Sequence, residues 1–353
     1  MLVLIYNKCM KTEELNYNLP SNLIAQKPLK KRDSSRLLVL DKINGEMMHD
    51  TFNHLSKYLY PGDVLVLNDT KVIPARIIGS KADTNAVIEL LLLKNIENDL
   101  WECMVKPAKR IKVGTEVIFD KKLKAICIDK LEDGLAIFEF IYEGIFLEIL
   151  SKLGTMPLPP YIKEQLTDQD RYQTVYAKNL GSAAAPTAGL HFTDELIQKL
   201  IDYGVIITYV TLHVGLGTFL PINTEDITKH KMHEEYFNIS EETASILNQA
   251  KVEQRRVISV GTTTTRVLET NYHLFNRFNA SSGVTNIFIY PGFEFKAIDG
   301  LITNFHLPKS TLLLLVSAFA TKDIIMKAYQ EAIKQEYRFF SFGDAMFITK
   351  ELL

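Results

Sequence analysis

The sequence predicts an α/β fold: a large domain with a mixed sheet, and a small all-β, barrel-like domain inserted into it. Three textures along the 353 residues support this. Residues up to about 60 are mixed, 61–143 read as closely spaced short strands, and from about 145 helices alternate with strands. Because the mixed texture brackets the β texture, the β unit reads as an insertion. The expected organisation is a discontinuous large domain over 10–62 and 145–353, with the barrel over 63–144. The length agrees with two domains of roughly 100–200 residues each.

Taken in order, 37–41 reads as a strand and 50–60 as a helix stopped by Pro61-Gly62. The barrel strands are expected at 63–68, 74–79, 87–94, 101–106, 115–119, 124–129 and 135–141. They are short and rich in β-branched residues, and turn signals such as Val113-Gly114 and Glu132-Asp133-Gly134 separate them. The continuous apolar run 90–93 suits a strand buried on both faces. A helix over 193–203 is capped by Thr193, with Asp194 and Glu195 placed to favour its dipole. A strand over 205–212 follows, and Ser240 caps a second helix to about 254. Strand 256–260 leads through Gly261 into a third helix, 284–290 reads as a strand, and 310–320 as a buried apolar helix. Such alternation predicts a central, largely parallel sheet.

Composition excludes several classes. Hydrophobic residues make up 47%, and 40 Lys+Arg against 42 Asp+Glu leave a formal charge of -2, which excludes a disordered chain. The longest apolar stretch, 312–320, is far short of the roughly 18 residues of a membrane span. Cys9, Cys103 and Cys127 are odd in number and lack metal-ligand spacing, so a reducing cytoplasm is expected. Residues 1–9 read as an upstream extension. The near-zero charge by itself gives no hint of a nucleic-acid partner.

Loops dense in Gly, His, Thr and Pro carry the candidate chemistry. Loop 183–193 holds Thr187, Gly189 and His191 before a helix N-terminus that offers free N–H groups. Loop 211–219 holds His213 and Gly215 at a strand end. The segment 229–235 carries His230, His233 and Glu234. It lacks the HExxH arrangement, so a polar active-site edge is favoured over a metal site. Gly261 and Thr262 open a helix as a phosphate cradle would, without a Walker ending, and Arg266 follows one turn on. Asn304 and His306 are polar residues in an apolar setting, where unpaired polar groups are costly. Arg338 sits among aromatics that more often form core than a base-binding platform. Two basic clusters, Lys27, Lys30, Lys31, Arg32 and Arg36, and Lys106, Lys109, Arg110 and Lys112, suit phosphates, though solvated surface loops are as common.

Together these motifs resemble the S-adenosylmethionine:tRNA ribosyltransferase-isomerase family of queuosine biosynthesis. The strings include Arg32-Asp-Ser-Ser-Arg-Leu-Leu38, Leu67-Asn-Asp-Thr-Lys-Val-Ile-Pro-Ala-Arg76, Gly154-Thr-Met-Pro-Leu-Pro-Pro-Tyr-Ile162 and Ala184-Ala-Pro-Thr-Ala-Gly-Leu-His-Phe192. Further on come Met232-His-Glu-Glu-Tyr236, Thr303-Asn-Phe-His-Leu-Pro-Lys-Ser-Thr311 and Tyr337-Arg-Phe-Phe-Ser-Phe-Gly-Asp-Ala-Met346. They run in family order over nearly the whole chain from about Met10. One departure is Leu220, where the family usually has Arg.

The resemblance implies a large α/β domain with a small inserted barrel. It also implies S-adenosylmethionine as a consumed ribosyl donor and a tRNA bearing 7-aminomethyl-7-deazaguanine as acceptor. Epoxyqueuosine-tRNA, adenine and methionine are the products. That chemistry needs a base at C5′, whose protons the sulfonium acidifies, a donor to help adenine leave, and a neutral attacking amine. Neutral histidine suits the first two roles. His191, His213, His233 and His306 are therefore the catalytic candidates, with Glu234 as an alternative base. Thr187, Gly189, Gly215, Gly261, Thr262 and Asn304 are the expected donor-binding residues. Arg32, Arg36, Lys71, Arg76, Arg266 and Arg338 are the expected contacts to tRNA. No metal or other cofactor is expected, nor any membrane association, and the protein is expected to be a monomer. The competing readings are an S-adenosylmethionine-dependent RNA methyltransferase and a non-catalytic RNA-binding protein.

Overall fold

The computed structural model describes residues 10–164, 166–215, 222 and 224–350. The upstream segment 1–9 and the Gly217–Leu220 string lie outside the described residues. The chain opens with β1 (Arg36–Asp41), β2 (Met47–Thr51), β3 (Val64–Asn68) and β4 (Thr70–Val72). Six strands then follow: β5 (Arg76–Lys81), β6 (Val87–Glu97), β7 (Leu100–Lys106), β8 (Glu116–Asp120), β9 (Leu123–Lys130) and β10 (Leu135–Tyr142). After α1 (Phe146–Leu153) come β11 (Asn179–Ser182), α2 (Asp194–Tyr203), β12 (Ile206–Leu212), β13 (Glu235–Ile239) and α3 (Glu241–Val252). The chain ends with β14 (Val257–Val260), α4 (Thr262–Phe275), β15 (Ser281–Thr285), β16 (Gly300–Asn304), α5 (Thr311–Ala320), α6 (Lys322–Lys334) and β17 (Ala345–Thr349).

The predicted class is observed: a nine-stranded mixed sheet in the order β15-β13-β12-β3-β14-β16-β17-β1-β2, and a closed six-stranded antiparallel barrel, β5 to β10. Strands β12, β3, β14 and β16 are parallel, while β17 runs against β16 and pairs parallel with β1. Both faces of the sheet are covered, and the strand period of two divides the core. Val64 and Val66 face one cluster with Leu247, Val267 and Leu314, and Leu65 and Leu67 face another with Leu196 and Leu200. The expected caps form: Thr193 Oγ accepts from Leu196 N–H and Ser240 Oγ from Thr243 N–H.

Four expectations are corrected. The strand at 64–68, assigned to the barrel unit, is a central strand of the large sheet, and the barrel begins at Arg76. Residues 50–60 form no α-helix: β2 ends at Thr51 and a 3₁₀ segment, Phe52–Tyr58, follows. Its buried residues are Phe52, Leu55 and Tyr58, a spacing of three that matches a three-residue turn. The run at 90–93 alternates in the barrel wall, with Leu90 and Leu92 inside and Leu91 and Leu93 half-buried outside. The strand expected at 284–290 is instead Ser281–Thr285.

The barrel joins the large domain closely. A Cβ on Gly154, just after α1, would collide with the Pro74 carbonyl oxygen, so only glycine allows this approach. No helix among the described residues is long and apolar enough to cross a membrane.

Candidate active site at one edge of the large sheet

Register places one set of loops at a single edge. Asn304 at the end of β16 lies beside Ala345 at the start of β17, and Leu37 of β1 pairs with the same residue. The ends of β3, β12 and β14 lie at that edge too. Strand β3 has β12 on one side and β14 on the other, so the chain reverses its order of addition there. This is the switch point at which open α/β sheets bind ligands. Asn68, fully buried at the end of β3, ties the loops together. Its Oδ1 accepts from Thr70 N (3.1 Å) and Leu212 N (3.0 Å), and its Nδ2 donates to Leu212 O (3.1 Å) and Thr263 Oγ1 (3.3 Å).

A cleft of about 560 Å³ opens at this edge, and Thr187, Gly261, Thr262, Asn304, His306 and Tyr161 are among the residues lining it. Gly261 caps α4 with φ +90°, which an L side chain rarely adopts, and Thr262 and Thr263 at the helix start line the cleft. Asn304 is a hub: its Oδ1 accepts from Thr187 Oγ1 (3.2 Å), and its Nδ2 donates to Phe340 O (3.2 Å) and His191 Nε2 (3.1 Å). His191 Nε2 is thus an acceptor, so Nδ1 carries the proton and donates to Ser35 Oγ at 2.7 Å. Both nitrogens are committed, and His191 positions Asn304 from behind rather than lining this cleft. His306 differs. Its Nε2 is held by Thr303 Oγ1 at 2.7 Å, while its Nδ1 has no hydrogen-bond partner among the described residues. Tyr329 Oη accepts from His306 N–H (2.9 Å), and Tyr17 Oη donates to its carbonyl.

Burial pulls the pKa of His306 down to about 3. Burial, with the Arg338 and Arg32 charges, does the same to His191. Both are neutral at working pH and resist protonation that the unfolded chain accepts below about 6.5. Below that value the unfolded state binds more protons, so stability falls as pH drops from about 6.5 toward 3. The expected result is a lower melting temperature at pH 5 than at pH 7, with His306→Asn reducing the difference. Equal pH dependence in wild type and variant would show that His306 titrates alike folded and unfolded.

A larger cleft, about 1370 Å³, lies between the barrel and the sheet. Trp101 and Tyr142 line it from the barrel, and His213, Gly215, Glu234 and Tyr236 from the sheet; Val214 lines both clefts. His213 Nδ1 bonds Thr70 Oγ1 at 2.8 Å, and its ring stacks on Tyr236 with centroids 5.5 Å apart. Burial lowers the His213 pKa, against the opposing pull of Asp69. Glu234 approaches Lys94 of the barrel at 3.9 Å.

Other candidates lie elsewhere. A Cβ on Gly189 would strike Tyr176 Oη, so that glycine serves close packing. His233 is exposed and lines neither cleft. Arg266, expected at tRNA, is only 4% exposed and pairs with buried Glu235, because β13 brings that carboxylate beside α4. Arg76 pairs with Glu89 at 2.6 Å on the barrel, Lys71 is exposed on β4, and Arg36 stacks over Tyr337. Arg32 and Arg338 lie near His191. His230 packs on Phe288, and no group of three His, Cys, Asp or Glu among the described residues is placed to hold a metal. Sequence reasoning missed Ser35, Asn68, Tyr161 and Glu235 as site residues. All four lie in the strings quoted above, so the signal was present without a role attached.

A switch-point cleft of small residues and hydroxyls, adjoining an aromatic cleft walled by a second domain, is the arrangement of an α/β ligand-binding enzyme. The comparisons with known proteins agree. A family model described as queuosine biosynthesis protein matches residues 12–348. The chain is 60% identical over 340 residues to the S-adenosylmethionine:tRNA ribosyltransferase-isomerase of Staphylococcus haemolyticus, covering 96% of this chain and all of that one. The Staphylococcus aureus protein of the same name is 58% identical over the same shares. A crystal structure of the Thermotoga maritima S-adenosylmethionine tRNA ribosyltransferase matches with TM-score 0.55 and 42% identity, over 95% of this chain and 99% of that one. The chain belongs to the queuosine biosynthesis family.

Proposed function

We propose that this enzyme transfers and isomerises the ribosyl unit of S-adenosylmethionine onto 7-aminomethyl-7-deazaguanine at the tRNA wobble position. The products are epoxyqueuosine-tRNA, adenine and methionine. The observation that carries the site reading is the pairing of two clefts across Val214, one with an available imidazole nitrogen and the other with an aromatic lining.

The smaller cleft takes the donor, with Thr187, Gly261, Thr262 and Asn304 around it. His306 Nδ1 is the base for C5′, and His191 keeps Asn304 oriented. The larger cleft takes the acceptor base, which Tyr236, His213 and Trp101 offer faces to stack on. Glu234 accepts a hydrogen bond from the aminomethyl group and draws off its proton, since only the neutral amine has a lone pair to attack with. The sulfonium itself activates the sugar, so this scheme calls on no metal or redox group. Buried free Cys103 and Cys127 suit a reducing cytoplasm.

The test is incubation with S-adenosylmethionine and precursor-modified tRNA. Adenine release with a matching mass gain on the wobble nucleotide is expected. S-adenosylhomocysteine in place of adenine would make the protein a methyltransferase, and no turnover by folded protein would sink the assignment.

A further inference from the structure

Three arginines from distant parts of the chain meet behind His191. Arg32 and Arg171 line a small, open pocket with Ser35, His191, Ser341 and Phe342. Arg338 stands close enough to act, like Arg32, on the His191 ring. All three guanidinium groups are fixed by neutral carbonyl oxygens. Arg32 donates to Asp170 O (3.0 Å) and Leu190 O (3.3 Å), Arg171 to Leu29 O (2.6 Å) and Lys30 O (3.2 Å), and Arg338 to Lys27 O.

Two nearby carboxylates face lysines instead: Lys27 pairs with Glu164, and Lys31 lies 3.7 Å from Asp33, whose Oδ1 is buried without a hydrogen-bond partner. None of the three arginines is in an ion pair among the described residues. Asp168 and Asp170 act on Arg32, and Asp344 on Arg338, through their fields, and none of these acids lines the pocket. Two donors, Arg171 Nε and Arg338 Nη1, are buried with no hydrogen-bond partner. Leaving buried donors idle costs free energy that an incoming acceptor recovers.

We propose that this pocket binds one phosphodiester of the RNA substrate's backbone. The proposal rests on the tRNA reading above and adds Arg171, which the sequence did not single out. Arg171, which lines the pocket, donates through its idle Nε–H, and Arg32 and Arg338 add charge. Guanidinium forks match phosphate oxygens in shape as well as in sign. S-adenosylmethionine does not suit the pocket. Its sulfonium and ammonium outweigh one carboxylate, and three arginines outside any ion pair among the described residues repel a net cation. A phosphate here sits next to the reaction site, because Ser341 lines both this pocket and the donor cleft. His191 also links Ser35 of the pocket to Asn304 of the cleft. Exposed Lys30 extends the same basic face along the strand's path.

The test measures affinity for an anticodon stem-loop RNA against salt, for wild type, Arg171→Met and Arg171→Lys. Losing one phosphate contact on a single strand is expected to reduce the slope of log K against log salt by about 0.7 and weaken binding several-fold. Arg171→Lys should restore most of the slope, and S-adenosylmethionine binding should stay within about twofold of wild type in both. If Arg171→Met does not fold, Arg338→Met serves, since that side chain holds a single carbonyl. An unchanged slope in a folded variant overturns the proposal. So does tight binding of inorganic phosphate that the RNA fails to displace, which would mark a small-anion site. Wild type that converts modified RNA while sharing the variant's slope refutes only the pocket. Wild type that releases no adenine refutes the enzyme reading, whatever the slope.

Discussion

Replacing His306 with alanine is expected to lower adenine release by about 10²–10⁴-fold, the usual contribution of a positioned general base. Four histidines qualified on sequence, and geometry separates them. His191 has both ring nitrogens committed, to Ser35 and Asn304. His233 stands exposed outside both clefts, and His213 lines the larger cleft, proposed above for the acceptor. His306 alone of the four lines the smaller cleft, proposed above for the donor. Its Nε2 is fixed by Thr303, and its backbone is pinned by Tyr329 and Tyr17, so the ring cannot swing away.

Burial keeps His306 unprotonated, so its lone pair is available across the whole working range. Turnover should show no loss from this group until pH falls toward about 3. His306→Asn fills much of the same space and should bind S-adenosylmethionine as wild type does, yet remain inactive. Exchange of the donor's C5′ hydrogen with solvent gives a readout independent of tRNA, and it should vanish in both variants. If His306→Ala keeps turnover within tenfold of wild type, the base is elsewhere.

How far the site was legible follows from what each residue depends on. Thr193 and Ser240 were readable as caps because a cap depends only on its own first turn. The six barrel strands were readable because period-two patterns and turns are local. Strand β3 was assigned to the wrong unit for the complementary reason. Val64–Asn68 has the composition of any buried strand, and only its partners β12 and β14, from distant parts of the chain, reveal the sheet it joins. Asn304 and His306 stood out because polar residues in apolar sequence need partners. That His191 faces Asn304 across 113 positions could not be read. The three-arginine pocket is a similar case, since Arg32, Arg171 and Arg338 meet only through tertiary folding.

Glu235→Ala is expected to destabilise the protein by about 3–5 kcal/mol, the cost of leaving a buried charge without its partner. Glu235 and Arg266 are 5% and 4% exposed, and Arg266 Nε and Nη2 already lack hydrogen-bond partners. Removing the carboxylate strands the buried guanidinium without its partner. The same carboxylate accepts the Gly215 N–H at 2.9 Å, two residues from His213 and beside the Val214 wall between the clefts. Its loss should therefore slow turnover even where the fold survives.

Arg266→Met leaves a carboxylate that still holds Gly215, so its penalty should be smaller. The double variant Glu235→Leu/Arg266→Met removes both charges and should recover much of the stability lost in Glu235→Ala, as apolar replacement of buried pairs often does. Urea denaturation of the four proteins decides the matter. A loss under 1 kcal/mol in Glu235→Ala would mean the pair is solvated in solution. RNA affinity then tests the role first expected of Arg266. A phosphate contact would weaken binding in Arg266→Met and flatten its salt dependence, with stability untouched. A buried structural charge does the opposite, and the 4% exposure of Arg266 predicts the second pattern.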